Sequence, residues 1–139
     1  MKRLVFLLVM VLMISCEKDF MELEALGSNS SIVGTWVEDG YKGDTLLLQR
    51  SGALDNDKYG FTINDDGSFI ERKNAGWCGT PPITYDSFDG TWEAVSDSLL
   101  DITVAYWGGM MTYQMRIVSL DAEALAIRYL YTEARVDTR

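Results

Sequence analysis

The most distinctive chemical grouping in this chain is the segment 77–82, where a tryptophan, a cysteine and two prolines follow one another closely. Loops held by a rigid scaffold commonly present such side chains to ligands or partners. The alternative interpretation is that Trp77 and Cys78 fold over one end of the domain and only stabilise it. The candidate ligand- or partner-binding residues predicted from the sequence are Trp77, Cys78, Pro81, Pro82, Trp107 and Tyr113.

The residues needed for catalysis or metal binding are scarce. The chain has no histidine and only two cysteines. It therefore lacks the commonest general base and the commonest transition-metal ligand. Carboxylate pairs such as Asp65 with Asp66 and Asp86 with Asp89 are interpreted as turn residues, because aspartate side chains hydrogen-bond to the backbone of turns. We therefore predict no catalytic residues, no metal site and no cofactor, and we do not expect an enzyme.

The charge balance argues against nucleic acid as a partner. Twelve basic residues stand against 21 acidic ones, a formal net charge of −9. If Lys2 and Arg3 are removed with a signal peptide, ten basic residues remain and the net charge becomes −11. Such a surface repels phosphate backbones and anionic lipid headgroups.

The amino terminus has the pattern of an export signal. Lys2 and Arg3 precede an apolar run, 4–14, that is well short of the roughly 20 residues needed to span a bilayer. Ser15 and Cys16 follow, and the chain then becomes polar. We predict a signal peptide over 1–15, with Cys16 as the first residue of the mature protein.

The stretch 13–16, Met-Ile-Ser-Cys, resembles the lipobox of bacterial lipoproteins. That resemblance implies acylation of Cys16 and a stable membrane anchor, since two or three acyl chains hold a protein firmly. The residues after it, Glu17, Lys18 and Asp19, resemble the export signal of surface lipoproteins of Bacteroidetes. The resemblance implies an outer-membrane lipoprotein of the cell envelope, either periplasmic or outward-facing. Residues 16–31 are predicted to form a flexible tether.

From residue 32 to 139 the sequence predicts one all-β domain. Apolar residues alternate with polar ones in most segments, and turn signals recur roughly every 8–12 residues. The Asn64–Gly67 stretch predicts a hairpin turn, and further turns are expected at 38–40 and 86–89. We predict an antiparallel up-and-down β-barrel of about eight short strands, with a β-sandwich as the alternative.

Gly34-Thr35-Trp36, at the start of the first predicted strand, resembles the Gly-x-Trp signature of lipocalins. With Gly90-Thr91-Trp92 and the paired β-runs that follow, the domain is similar to small lipocalin-like lipoproteins of Bacteroidetes. The resemblance implies that Trp36 plugs the closed end of a barrel. It also implies a late arginine stacked on that ring, for which Arg128 and Arg135 are the candidates.

Two functions are expected from these features. The first is binding of a small apolar or amphipathic ligand by a membrane-anchored, lipocalin-like barrel. The second is a protein-interaction or inhibitor role, in which the Trp77–Pro82 loop is presented to a partner such as an envelope protein. Two motifs also resemble the O-glycosylation acceptors of Bacteroidetes envelope proteins, with Thr45 and Ser98 as the acceptor residues.

Overall fold

The computed structural model describes residues 31–76 and 82–131. Within these ranges the chain forms eight β-strands and no helix. No helix long and apolar enough to cross a membrane occurs in this part of the chain. The strands are β1 (Gly34–Lys42), β2 (Thr45–Ser51), β3 (Gly60–Ile63), β4 (Ser68–Asn74), β5 (Tyr85–Ser96), β6 (Leu99–Tyr106), β7 (Gly109–Leu120) and β8 (Ala124–Leu130).

The eight strands close into one antiparallel barrel in the order β1-β2-β8-β7-β6-β5-β4-β3. The predicted antiparallel β-barrel is confirmed, and the sandwich alternative is excluded because the sheet has no free edge. From β3 to β8 each strand pairs with the next one in the chain, as in an up-and-down barrel. The order departs from that pattern at β1, which lies between β2 and β3.

The insertion of β1 between β2 and β3 makes these two strands run in the same direction, since both are antiparallel to β1. The connection 52–59 must therefore pass along β1 before β3 begins. Leu54 lies outside the barrel over Gly60, and a Cβ on Gly60 would be 3.2 Å from Leu54 Cδ2 and 2.6 Å from the Trp36 carbonyl oxygen. Glycine at position 60 thus lets this connection lie close against the sheet.

Two of the predicted turns are parts of strands. Residues 86–89 lie within β5 and pair with β4, with Asp86 opposite Lys73 and Asp89 opposite Ile70. The 38–40 stretch lies within β1, where a β-bulge between Glu38 and Gly40 replaces the expected turn. A bulge takes up an extra residue without ending the strand. Turn-forming residues are therefore accommodated inside both ladders. The 64–67 hairpin turn between β3 and β4 is confirmed.

The barrel has a closed end, where β1 begins, and an opposite, open end, where β4 and β6 finish. Side chains that point inward fill the half of the barrel next to the closed end, which we call the lower barrel. They are shielded from solvent, as the alternating pattern predicts. The largest of them are Trp36, Phe61, Phe69, Ile32, Leu46, Leu48, Ile63, Leu100, Ile102, Met115, Leu125 and Ile127.

Trp36 lies buried at the closed end, where its indole Nε1 donates to the Ile32 carbonyl at 2.8 Å. The guanidinium of Arg50, on β2, lies 4.2 Å from the centre of the Trp36 ring. Arg50 also donates to the carbonyls of Ser31, Val33 and Ala122. One arginine therefore links the segment that precedes β1, the Trp36 ring on β1 and the β7–β8 turn.

The arginine on Trp36 is thus neither of the two predicted candidates. Arg128 lies toward the open end of the barrel, where its Nε donates to Thr45 Oγ1 at 3.0 Å and pairs with Asp44. Arg135 lies outside the residues that the structure describes. The reason is topological: β2 separates β1 from β8, so a side chain on β2 occupies the space over the ring.

Candidate functional site

A polar cluster interrupts the apolar interior near the open end. Strand alternation places Phe69, Glu71 and Lys73 of β4 on the same inward face, one above the other. Glu71 is only 4% exposed and is the one acidic residue in the core of the described part of the chain. Lys73, one step nearer the opening, has a side chain that is 18% exposed.

The Glu71 carboxylate is held by three hydrogen bonds from side chains. Its Oε1 accepts from the Tyr59 hydroxyl at 2.7 Å and from the Tyr113 hydroxyl at 2.9 Å. Its Oε2 accepts from Lys73 Nζ at 2.6 Å. Tyr129 joins the group through a hydrogen bond between its hydroxyl and that of Tyr59. We call these five residues the Glu71 cluster.

Counting hydrogens fixes the direction of the bonds in the Glu71 cluster. A phenol has one hydrogen, and Tyr59 gives its hydrogen to Glu71. The bond between Tyr59 and Tyr129 must then run from Tyr129 to Tyr59. All three phenolic hydrogens are therefore directed inward, toward the carboxylate or toward a phenol bound to it.

The environment keeps these phenols protonated. Burial is the main cause that raises the pKa of Tyr59, Tyr113 and Tyr129 above the ordinary tyrosine value. The negative charge of Glu71 raises the pKa of each of them further. The three tyrosines consequently remain hydrogen-bond donors across the physiological pH range.

Aromatic and sulfur-containing side chains surround the Glu71 cluster. The ring of Tyr129 meets that of Tyr113 edge-on at 5.3 Å and that of Tyr59 at 6.3 Å. Lys73 Nζ lies 5.2 Å from the Phe88 ring centre and 3.8 Å from Met111 Sδ. Phe88 and Met111 point inward but are only half-buried, unlike the residues below them. Among the described residues, the interior is therefore less shielded from solvent at the open end than at the closed end.

Such an arrangement suits binding of a molecule that has both polar and apolar parts. The polar groups converge on one side, and aromatic and thioether surfaces form the rest of the wall, as in many small-molecule sites. A ligand has little access to the carboxylate itself, because Glu71 is buried and its oxygens already accept three hydrogen bonds. Among the described residues, no group of three or more metal-ligating side chains occurs.

The structure brings only one of the predicted site residues into this cluster, namely Tyr113. Trp107 lies in the β6–β7 turn at the open end, 61% exposed and edge-on to Tyr106. Pro82 is exposed where the chain approaches β5. The predictions at Trp77, Cys78 and Pro81 concern residues outside the described ranges, as does the predicted lipidation of Cys16.

The two candidate glycosylation residues differ in their surroundings. Thr45 is only 8% exposed, and its hydroxyl donates to Asp44 Oδ1 and accepts from Arg128 Nε. Ser98 lies half-buried in the β5–β6 turn, and its carbonyl accepts from Ile117 N. A transferase would reach Ser98 more readily, so Ser98 remains the better candidate of the two.

Sequence reasoning missed four of the five residues of the Glu71 cluster as site residues. A signal was present in the alternation Phe69, Glu71, Lys73, which places two charged residues on the face that also carries a core phenylalanine. Tyr59 likewise shares a face with Phe61 and Ile63. The predicted 64–67 hairpin brings Tyr59, just before β3, beside β4. No local pattern, however, indicates that Tyr113 of β7 and Tyr129 of β8 meet them.

No family model, no curated protein and no solved structure matches this chain.

Proposed function

We propose that this protein is a membrane-anchored, lipocalin-like lipoprotein that binds a small amphipathic ligand at the open end of its barrel. The Glu71 cluster is the observation that carries the proposal. It places a buried carboxylate, an ammonium and three phenols inside a barrel whose lower part is filled with apolar side chains.

Energetics support a functional rather than a structural role for the cluster. Replacing a buried ion pair by well-packed apolar residues is often neutral or stabilising, so such a pair contributes little to folding by itself. Ionisable groups with shifted pKa values are concentrated at binding and catalytic sites. A barrel of eight strands is also just wide enough to enclose its own side chains or one small ligand.

The filled lower barrel indicates where the ligand would lie. Trp36, Phe61, Phe69 and Met115 leave the space below the Glu71 cluster occupied by protein. The ligand's polar end would therefore sit at the cluster, and its apolar part would extend toward the opening, along Phe88 and Met111. This arrangement favours an amphipathic ligand over a purely apolar one.

Native mass spectrometry of protein purified from its own host tests the ligand proposal. We expect an excess mass that disappears on denaturation. Tyr113→Phe removes a hydrogen bond to a charged group and should lower ligand affinity by roughly threefold to tenfold. Tyr106→Phe, at the same end but outside the cluster, should retain the wild-type occupancy. A wild-type protein that carries no excess mass and takes up no added amphiphile would contradict the proposal.

The anchor is the second part of the proposal and rests on the sequence of residues 1–19. Cys16→Ala should abolish incorporation of a labelled fatty acid and release the protein from the membrane fraction, because the acyl chains supply most of the binding energy. Cys78→Ala is the matched control and should leave labelling unchanged. Persistent labelling of the Cys16→Ala protein would exclude this anchor. Protease treatment of whole cells would distinguish an outward-facing from a periplasmic location in the cell envelope.

A protein-interaction or inhibitor role is the second candidate, and exposed apolar side chains favour it. Trp107, Met110 and Tyr131 are each at least 60% exposed and belong to segments at or near the open end. Exposed apolar surface tends to mark contact sites. Crosslinking from Trp107 replaced by a photoreactive residue, performed in the native host, would capture an envelope partner if this role applies.

A further inference from the structure

Lys73 differs from the other members of the Glu71 cluster because it has hydrogen-bonding capacity left. Its ammonium has three N–H donors, and one of them is used by Glu71 Oε2. Among the described residues, Nζ also contacts Met111 Sδ at 3.8 Å and lies 5.2 Å from the Phe88 ring centre. Both are weak acceptors compared with an oxygen atom. Asp86, the cross-strand partner of Lys73 on β5, forms no ion pair with it.

The other hydrogen-bond donors of the cluster already have partners. The three phenolic hydrogens are directed toward Glu71 or toward Tyr59, and both oxygens of Glu71 accept hydrogen bonds. The side chain of Lys73 is also more exposed than that of Glu71, 18% against 5%. A molecule entering from the open end therefore meets Lys73 before Glu71, and among the described residues it meets ammonium donors whose only strong acceptor is Glu71 Oε2.

The charge and number of these donors limit the polar group that fits them. A cationic group would meet the Lys73 ammonium first and be repelled. A hydroxyl offers a single oxygen, whereas a carboxylate offers two oxygens and a negative charge. Charge-assisted hydrogen bonds are roughly twice as strong as neutral ones. Lys73 also stands between Glu71 and the opening, so the ammonium would be nearer to the anion than the Glu71 carboxylate is.

We propose that the open end of the barrel selects amphipathic carboxylates, with the ligand's carboxylate on Lys73 Nζ and its apolar body against Phe88 and Met111. Glu71 then acts as a positioning residue: it orients the lysine and does not touch the ligand. This inference rests on the proposed ligand-binding function. The net negative charge of the chain opposes anions at long range, so selectivity arises from the short-range contact with Lys73.

The test is a competition among three ligands that differ only in their polar group. The intact lipoprotein, in detergent, is offered equal amounts of dodecanoic acid, 1-dodecanol and dodecylamine, and bound masses are read by native mass spectrometry. We expect the acid to exceed the alcohol by roughly tenfold, the gain of a charge-assisted over a neutral hydrogen bond. The amine should not bind.

Variants test whether Lys73 itself, and not the positive charge of any lysine at this end, produces the preference for the acid. Lys73→Met should bring the acid-to-alcohol ratio close to one while alcohol binding persists, and Lys73→Arg should retain the preference for the acid. Lys42→Met, which removes an exposed lysine at the same end, should leave the ratio unchanged. If Lys73→Met does not fold, the ratio measured with the wild-type protein and Lys73→Arg still decides the question.

The outcomes are distinguishable. Equal binding of acid and alcohol by the wild-type protein, or an acid preference that survives in Lys73→Met, would overturn the carboxylate inference and leave the proposed ligand binding intact. No bound mass from any of the three amphiphiles would overturn the proposed function as well.

Discussion

At the scale of single residues, Glu71 shows how a carboxylate can be buried in a small barrel. Three donors, on Tyr59, Tyr113 and Lys73, replace the water that the carboxylate gives up on folding. Removing one of these donors would lower the stability of the folded protein by more than a solvent-exposed hydrogen bond contributes, because the buried carboxylate would lose a partner that water does not replace. The arrangement therefore depends on each donor remaining in its protonated form.

This dependence predicts a loss of stability at alkaline pH. The folded-state pKa of each cluster tyrosine is raised above the unfolded value of about 10, so the contribution is fully present below pH ~10 and decreases as the pH rises above it. Urea unfolding between pH 8 and pH 12 measures this. Tyr113→Phe should cost about 1.5–3 kcal/mol at pH 8 and flatten the alkaline loss.

The control for the alkaline prediction is Tyr106→Phe, which lies outside the Glu71 cluster and should keep the wild-type pH dependence. A wild-type free energy of unfolding that stays constant from pH 10 to pH 12 would show that the tyrosines do not titrate with folding.

At the scale of elements, the start of β1 explains why glycine occupies position 34. Gly34 has a φ of +141°, and a Cβ at this position would overlap the guanidinium of Arg50. The same guanidinium lies on the Trp36 ring. The Gly-x-Trp motif and the arginine of β2 are therefore one packing unit at the closed end, in which the glycine leaves room for the guanidinium.

Gly34→Ala should accordingly destabilise the protein by about 1–3 kcal/mol, the usual cost of overpacking combined with backbone strain. Denaturant unfolding followed by tryptophan fluorescence measures the change. Gly52→Ala is the matched control, since a Cβ there has open space and the φ is not in the left-handed region; it should change the free energy of unfolding by less than ~0.5 kcal/mol. Equal midpoints for the two variants would contradict the packing explanation.

At the scale of the whole molecule, closure of the barrel links its two ends. Each strand pairs with two neighbours, so no strand can leave without breaking two ladders. The closed end contains Trp36 and the open end contains the Glu71 cluster, and one continuous apolar core lies between them. A small domain built in this way is expected to unfold in a single cooperative step.

Cooperativity can be checked because different chromophores report on the two ends. In a variant that carries Trp77→Phe and Trp107→Phe, tryptophan fluorescence follows Trp36 and Trp92 at the closed end, and near-ultraviolet circular dichroism includes the packed tyrosines at the open end. We expect coincident transitions in urea, and Gly34→Ala should shift both by the same amount although it changes only the closed end. Separate midpoints would show that the barrel unfolds in parts.

The alternating pattern was sufficient to predict the strands that make up most of the core. Leu100, Ile102 and Val104 on β6 are buried as their spacing predicts. The same holds for Tyr113, Met115 and Ile117 on β7 and for Leu125 and Ile127 on β8, whereas Tyr131, the last residue of the alternating series, is exposed. Alternation succeeds because a strand has a period of two, so one buried face constrains every second residue. Composition alone likewise excludes histidine-dependent catalysis by these residues, because the sequence contains no histidine.

Only the tertiary structure decided the strand order, the identity of the stacking arginine and the membership of the Glu71 cluster. Placing β1 between β2 and β3 brought Arg50 rather than Arg128 to the closed end. The β3–β4 hairpin brought Tyr59 within 2.7 Å of Glu71, and closure of the barrel brought Tyr113, 42 positions away in the chain, within 2.9 Å of it. The physical reason is that strand periodicity is local, whereas pairing partners and interior contacts depend on how the whole sheet closes.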